Sequence, residues 1–472
     1  MNIISKKFKI RLLSILGCFI IVSCEDFVEV DSPNYKMDSQ TVFDKEETAK
    51  AAVKGIYNEL FNSDFSNGYT NSISVLAGMS SDIFETTSVT DTRYGPFQQN
   101  EISPGQTPDA TANFNLWSSA YRIIFMCNGA LEGIENSQSI SEATSEILEG
   151  QVRFVRAFTY LYLTNLYGDV PLILTTDYRQ NATISRNSSA RVFEQVITDL
   201  DMAISFLETV ADYENLERTN VNLYAALALR ARVYLYQQQW EKAEELSSLV
   251  INQTSTYEIL ENPDQVFLKN SREAIWQITP IPVGTFQFTY TWDGYFFRGN
   301  VNSPVKLSSN FISTMDTQDK RLLNWIGFNE SSEFYYPQKY KDSRSRGNIT
   351  EYSMVLRLAE QYLIRAEAKA MQGKLVSAIE DIDVIRERAG LGLISDTNPQ
   401  IGKELLLEEI MDERKRELFS EWGHRWFDLK RTEKAAEILA PIKPLWEDTD
   451  VLYPIPDEDR SKNPNLTQNI GY

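Results

Sequence analysis

Helical periodicity carries most of this chain. From Glu404 to Arg431 the apolar residues Met411, Leu418, Trp422, Trp426 and Leu429 return at steps of seven, four, four and three, which puts them on one helical face. Arg414, Glu417, Glu421, Arg425 and Asp428 form a second stripe beside it. The spacing predicts ion pairs of Arg414 with Glu417, Glu421 with Arg425, and Arg425 with Asp428. Gly423 falls inside the pattern and predicts a bend or break. The stretch therefore reads as a buried amphipathic helix laced with ion pairs. The only histidine of the protein, His424, lies here. A lone histidine among Arg and Trp reads as a packed or hydrogen-bonded side chain rather than a base or ligand. Further helices are predicted over Thr48–Leu60 and over Asn113–Ile134, the latter with Trp117, Tyr121, Ile124 and Ala130 along one side.

An internal echo adds helical pairs. Arg156-Ala157-Phe158-Thr159-Tyr160-Leu161-Tyr162 returns as Arg230-Ala231-Arg232-Val233-Tyr234-Leu235-Tyr236, and faintly as Arg365-Ala366-Glu367-Ala368-Lys369-Ala370-Met371. Each copy is followed by a second periodic segment: Val192–Leu207, Trp240–Ile251 and Val376–Arg388. Two pairs resemble tetratricopeptide hairpins. Ala231, Trp240 and Ala243 match the small–aromatic–small positions of close helix contact, and Ala366, Leu375 and Ala378 match them less well. The copies are irregularly spaced, so insertions must separate the units.

Two stretches break the pattern. Phe61 to Thr111 is rich in Ser, Thr, Asn, Gly and Asp and reads as a long loop, a kind that is usually functional. Pro280 to Gly347 contains the alternation Thr285-Phe286-Gln287-Phe288-Thr289-Tyr290-Thr291-Trp292, then Asp293-Gly294, then Tyr295-Phe296-Phe297. That order predicts a β-hairpin with a type I′ turn at Asp293-Gly294. Phe286, Phe288 and Tyr290 read as a face packed on the helices, with residues at the tip exposed. Trp117, Trp240, Trp422 and Trp426 lie on helical patterns and read as core.

The chain has 472 residues and a net charge of −20, which argues against binding a nucleic-acid backbone or an anionic membrane through a basic patch. None of the common catalytic or nucleotide motifs is present. One histidine excludes a multi-histidine metal site, and no pair of carboxylates is singled out for glycoside hydrolysis. No cofactor is implied. What remains is binding: aromatic faces that stack on sugar C–H faces, beside polar groups for hydroxyls. The candidates on the irregular stretches are Asp82, Arg93, Tyr94 and Phe97, and Trp292, Tyr295, Phe297, Arg298 and Trp325.

The N-terminus reads as an export signal. Lys6, Lys7, Lys9 and Arg11 precede the short apolar run Leu12 to Val22. Ile21-Val22-Ser23-Cys24 resembles a lipobox, where a bacterial lipoprotein is cut and its new N-terminal cysteine acylated. Ile15-Leu16-Gly17-Cys18 also fits, but cutting there would expose Phe19 to Val22 and halve the apolar run, which favours Cys24. An ordinary secretory signal or uncleaved anchor is the alternative. Cleavage before Cys24 leaves Cys127 as the sole free thiol, with no intramolecular disulfide.

A longer resemblance lies in Glu413-Arg414-x-x-Glu417-Leu418-Phe419-x-Glu421-Trp422-Gly423-His424-Arg425-Trp426-Phe427-Asp428-Leu429-Lys430-Arg431. It is similar to the C-terminal signature of the SusD/RagB family. Leu452-Tyr453-Pro454-Ile455-Pro456 and Asn463-Pro464-Asn465-Leu466-Thr467-Gln468-Asn469-x-Gly471-Tyr472 agree, with Ile470 where the family usually has proline. The resemblance implies a lipid-anchored, outward-facing outer-membrane protein that binds a glycan, or less often a peptide. It would hand the ligand to a SusC-like TonB-dependent transporter without bond chemistry. Glu25-Asp26 after the lipidated cysteine is similar to the surface-export signals of such lipoproteins. A secreted glycosidase is the alternative from another class. The expected fold is mostly α: irregular tetratricopeptide-like hairpins, loop-rich insertions and a small β-hairpin. The expected organisation is a signal peptide at 1–23, an acidic tether at 24–40 and a single body at 41–472. Insertions fall at about 61–111 and 280–347, and the signature region at about 350–472.

Overall fold

A computed structural model describes residues 42–282, 289–300 and 302–472. The signal segment, Cys24 and the tether lie outside these residues, as do Phe286 and Phe288. Helix α1 (Glu46–Asn62) opens with two glutamates, which favour the positive end of its dipole. Helix α2 (Ile73–Ser80) is buried on every side. Strand β1 (Phe84–Thr86) and the short α3 (Gly95–Gln99) follow. Helix α4 (Pro108–Asn136) starts ahead of the predicted boundary, because Thr107 caps the Ala110 amide and proline occupies the first turn. Next come α5 (Glu142–Tyr167), α6 (Ser189–Phe206), α7 (Leu223–Tyr236) and α8 (Trp240–Ile251). Strand β2 (Ala274–Ile278) and the short helix α9 (Trp292–Phe296) lead to β3 (Val305–Leu307), β4 (Ile326–Asn329), β5 (Phe334–Pro337) and β6 (Ser353–Arg357). The last long helices are α10 (Leu358–Met371), α11 (Leu375–Ala389), α12 (Lys403–Leu418) and α13 (His424–Arg431). Among the described residues no helix is long and apolar enough to cross a membrane.

The echoed helices form the scaffold: α5 packs on α6, α7 on α8, and α10 on α11, with α8 joining α10. The echo has a physical meaning. Ala157, Ala231 and Ala366 are fully buried, so the backbones approach closely. The arginine before each alanine reaches an aspartate on a packed helix. Arg156 pairs with Asp199 at 2.7 Å, Arg365 with Asp381 at 2.6 Å, and Arg230 with Asp201. Trp117, Trp422 and Trp426 are core, and Trp240 is half-buried against Ala231 and Ala243.

Two expectations are corrected. The stretch 61–111 is no structureless loop, for it contains α2, β1 and α3. No hairpin turns at Asp293-Gly294 either. Thr291 accepts a hydrogen bond from the Gly294 amide and caps α9, so the pair sits in a helical turn. Gly294 is needed there because a Cβ would lie 2.5 Å from the Asp342 carbonyl oxygen. The small hairpin of the fold is instead β4–β5; β1 pairs with β3 and β2 with β6, all antiparallel.

The signature helix breaks as predicted, but more sharply. Ser420, Trp422 and Gly423 have φ of 57°, 46° and 67° between α12 and α13. A Cβ on Gly423 would lie 2.5 Å from Ala77 Cβ of α2. The break takes α13 out of line with α12, so the expected stripe pairs do not form. Arg414 pairs with Asp428 at 2.9 Å, and Arg425 reaches Asp82 at 2.8 Å. Glu417 joins Arg321, Arg357 and Arg388, while Glu421 joins Arg357 and Lys339. Burial alone would raise the Glu417 pKa; the guanidiniums of Arg388, Arg357 and Arg321 overcome it and hold the carboxyl well below the usual range. His424 is buried, and burial followed by the nearby guanidiniums keeps it neutral. Cys127 is buried, and its thiol is pushed up to about 12 by burial.

Candidate functional site

The segment after α1 turns back tightly. Buried Phe65 anchors it, its amide donating to Ser119 Oγ at 2.9 Å. Gly68 (φ 79°) passes against α9, where a Cβ would lie 2.2 Å from the Asp293 carboxylate. Only glycine allows that approach with that φ. Tyr69 is thereby delivered half-buried onto α9. Its ring lies 5.0 Å from Trp292, 5.8 Å from Tyr295 and 6.0 Å from Phe296. Trp292 also packs on Phe61 at 6.2 Å, and Tyr290 stacks on Tyr295 at 5.5 Å with 12° between planes.

Two adjoining cavities open beside these rings, of about 380 Å³ and 540 Å³. They share Tyr69, Tyr295 and Arg298 and so make one groove. One half is lined by Asp91, Arg93, Tyr94, Asn300 and Asn302; the other by Tyr290, Trp292, Arg344 and Arg346. The Arg298 guanidinium lies 3.9 Å from the Tyr295 ring centroid, a cation–π contact that orients it. Arg93 and Arg344 are set by the same local device. Asp91 Oδ1 accepts the amides of Arg93 and Tyr94 at 2.9 and 2.6 Å, and Asp342 Oδ1 accepts those of Arg344 and Ser345 at 3.2 and 2.9 Å. Beneath the groove Asp293 is buried and accepts from Ser353 Oγ at 2.7 Å. Burial pushes its carboxyl up to about 7.

The arrangement can stack flat, apolar faces and donate hydrogen bonds to oxygens. Among the described residues it holds no assembled nucleophile and base. Among the described residues no group of His, Cys, Asp and Glu could hold a metal ion. Of the residues predicted from sequence, Arg93, Tyr94, Trp292, Tyr295 and Arg298 line the groove. The other four stand in the interior, where a ligand would have to displace packing. Asp82 is held by Arg425 and Lys415, both at 2.8 Å. Phe97 packs on Tyr453, and Phe297 on Phe84. Trp325 is fully buried, and its indole donates to the Pro263 carbonyl at 2.9 Å. Sequence reasoning missed Tyr69, Arg344 and Arg346. The glycine before Tyr69 was the available signal; Arg344-Ser345-Arg346 had none beyond its irregular surroundings.

Comparison with known proteins agrees with the fold. Residues 286–472 match the model of the SusD family, and residues 26–235 match a second model described as starch-binding associating with outer membrane. A SusD-like protein of Formosa agariphila is 26% identical over 99% of this chain and 100% of its own length. A crystal structure of a SusD superfamily protein from Bacteroides vulgatus superposes with a TM-score of 0.77 at 20% identity, covering 92% of this chain and 100% of that one. A laminarin-binding SusD-like protein superposes with a TM-score of 0.75 at 23% identity, over 91% of this chain and 100% of that one. The signature at 413–431, the hairpin scaffold and matches to both halves agree: the chain belongs to the SusD/RagB family.

Proposed function

We propose that this protein captures a glycan in the groove between Tyr69, Trp292 and Tyr295 and passes it to a TonB-dependent SusC-like transporter. The observation that carries the reading is a set of half-buried rings bordering an open groove and flanked by polar donors. A core cluster would have buried those rings completely. The laminarin-binding neighbour and the starch-binding family model support a carbohydrate as the ligand class. Cys24, acylated after cleavage of the signal, anchors the chain to the outer membrane, and the acidic stretch to about residue 40 serves as tether. The protein does no bond chemistry in this scheme; it binds, orients and releases.

Titration of purified protein against a polysaccharide panel tests it. Ring stacking is worth about 1–3 kcal/mol for nucleobases, and sugars belong at the low end. Tyr295→Ala and Trp292→Ala should each weaken affinity several-fold while the variants stay folded by circular dichroism. Unchanged affinity in both variants for every glycan that wild type binds removes the site from this groove. Release of shorter sugars by the protein alone turns the reading into a glycosidase.

A further inference from the structure

The groove is cationic in an acidic protein. Its lining holds four arginines, Arg93, Arg298, Arg344 and Arg346, against one carboxylate, Asp91, while the chain as a whole carries −20. None of the four has a salt bridge among the described residues. Asp91 is turned toward backbone amides, its Oδ1 accepting from Arg93 and Tyr94. The arginines also act on the same space. The fields of Arg298 and Arg93 reach the Tyr69 hydroxyl, and those of Arg298 and Arg346 reach the Tyr290 hydroxyl. Among the described residues no lysine lines the groove. Arginine offers a planar fork that binds sulfate or carboxylate through two parallel hydrogen bonds, and it stacks on rings as Arg298 does. Neutral sugars need no such concentration of charge, and like charges lining one groove repel until an anion enters.

We propose that the groove selects polysaccharides bearing oxyanion substituents, sulfate esters or uronate carboxylates, over neutral ones. This rests on the glycan-capture reading and names its substrate class. Sulfate and carboxylate present the same chemistry to a guanidinium, so the test must separate them. An acidic peptide would satisfy the arginines but would leave the ring faces without flat C–H surfaces to stack on.

The test is calorimetric titration of wild-type protein with matched pairs: dextran sulfate and dextran, polygalacturonate and its methyl ester, cellulose sulfate and hydroxyethyl cellulose. At least one anionic member should bind about tenfold more tightly than its neutral partner, and the pair that responds identifies sulfate or carboxylate. Raising NaCl from roughly 0.1 to 0.5 M should weaken that binding, since exposed charges are screened. Arg344→Gln combined with Arg346→Gln should reduce affinity for the anionic member about two- to fivefold per arginine, a larger loss than the same variant shows for the neutral member. Equal binding of both members of every responsive pair overturns the anionic selectivity and leaves glycan capture standing. Binding of polyglutamate with no response to any carbohydrate overturns both, as does failure of every carbohydrate to bind.

Discussion

Arginine has opposite tasks in two regions of this protein. Behind the signature helices, Arg321, Arg357, Arg388 and Lys339 are enclosed with Asp319, Glu273, Glu413, Glu417 and Glu421, all buried. Trp325 roofs that cluster, its ring centroid 5.1 Å from the Arg388 guanidinium and 4.8 Å from Lys339 Nζ. In the groove, four arginines border rings, and among the described residues no carboxylate bridges them. Both regions combine guanidiniums with aromatics, and composition alone does not distinguish them. The difference is whether the counter-charge comes from the protein. Where it does, the arginine is a strut between segments distant in sequence; where it does not, the charge is what the proposed anionic ligand would meet.

The largest effect should come from removing a shared carboxylate in the cluster. Glu417 accepts from Arg321 at 2.9 Å and also from Arg357 and Arg388. Glu417→Gln leaves three buried guanidiniums short of charge and turns an amide toward one of them. Breaking a buried ion pair in this way costs on the order of 3–5 kcal/mol. Urea unfolding should show that loss, and protein that remains folded should bind glycan as wild type does. Near-native stability would mean the cluster is not the strut described.

The next effect is pH-dependent and lies beneath the groove. Asp293 is buried beside Ser353, with no ion-pair partner among the described residues, and burial pushes its carboxyl up to about 7 from its ordinary 3.8. The folded state thus holds a proton that the unfolded state has released between those pH values. The stabilising contribution is complete below about pH 4 and is lost as pH rises through about 7. Asp293→Asn keeps an acceptor for Ser353 and removes the titration. At pH 8 it should be more stable than wild type by about 2–4 kcal/mol, an advantage that vanishes toward pH 4. Denaturant midpoints for both proteins from pH 4 to 8 check this; parallel curves would place a cation or water at Asp293 instead.

The contrast between the regions also explains what could be read in advance. Long helices were legible because each lays an apolar stripe on its neighbour at the helical period. Even the echo was legible, since Ala157, Ala231 and Ala366 occupy equivalent close contacts. Ion-pair partners were not. Arg425 pairs with Asp82 across 343 residues and Arg321 with Glu417 across 96, whereas local spacing suggests only neighbours along a helix. The same blindness put Asp82 and Trp325 among the site candidates: a polar or aromatic residue in an irregular stretch gives no sign of what will cover it. At Asp293-Gly294 two local signals competed. The pair is a hairpin turn after an alternating run, but Thr291 two residues before Asp293 is also a helix cap, and the fold uses the cap, with Gly294 leaving room for the Asp342 carbonyl.

The smallest expected effect sharpens the comparison most. Arg344 and Arg346 are exposed and bridge to no carboxylate among the described residues. Asp342 holds the Arg344 amide, a backbone contact that any side chain at 344 preserves. Replacing both by glutamine therefore removes charge without removing a partner, and an exposed substitution of that kind lies within about 0.5 kcal/mol of neutral. The midpoint of urea unfolding should stay within that margin, while one buried charge changed at Glu417 shifts it several times further. A clear loss of stability in the double variant would show that these arginines are paired within the fold after all. The groove would then be a second structural cluster, and its arginines would lose their claim on a ligand.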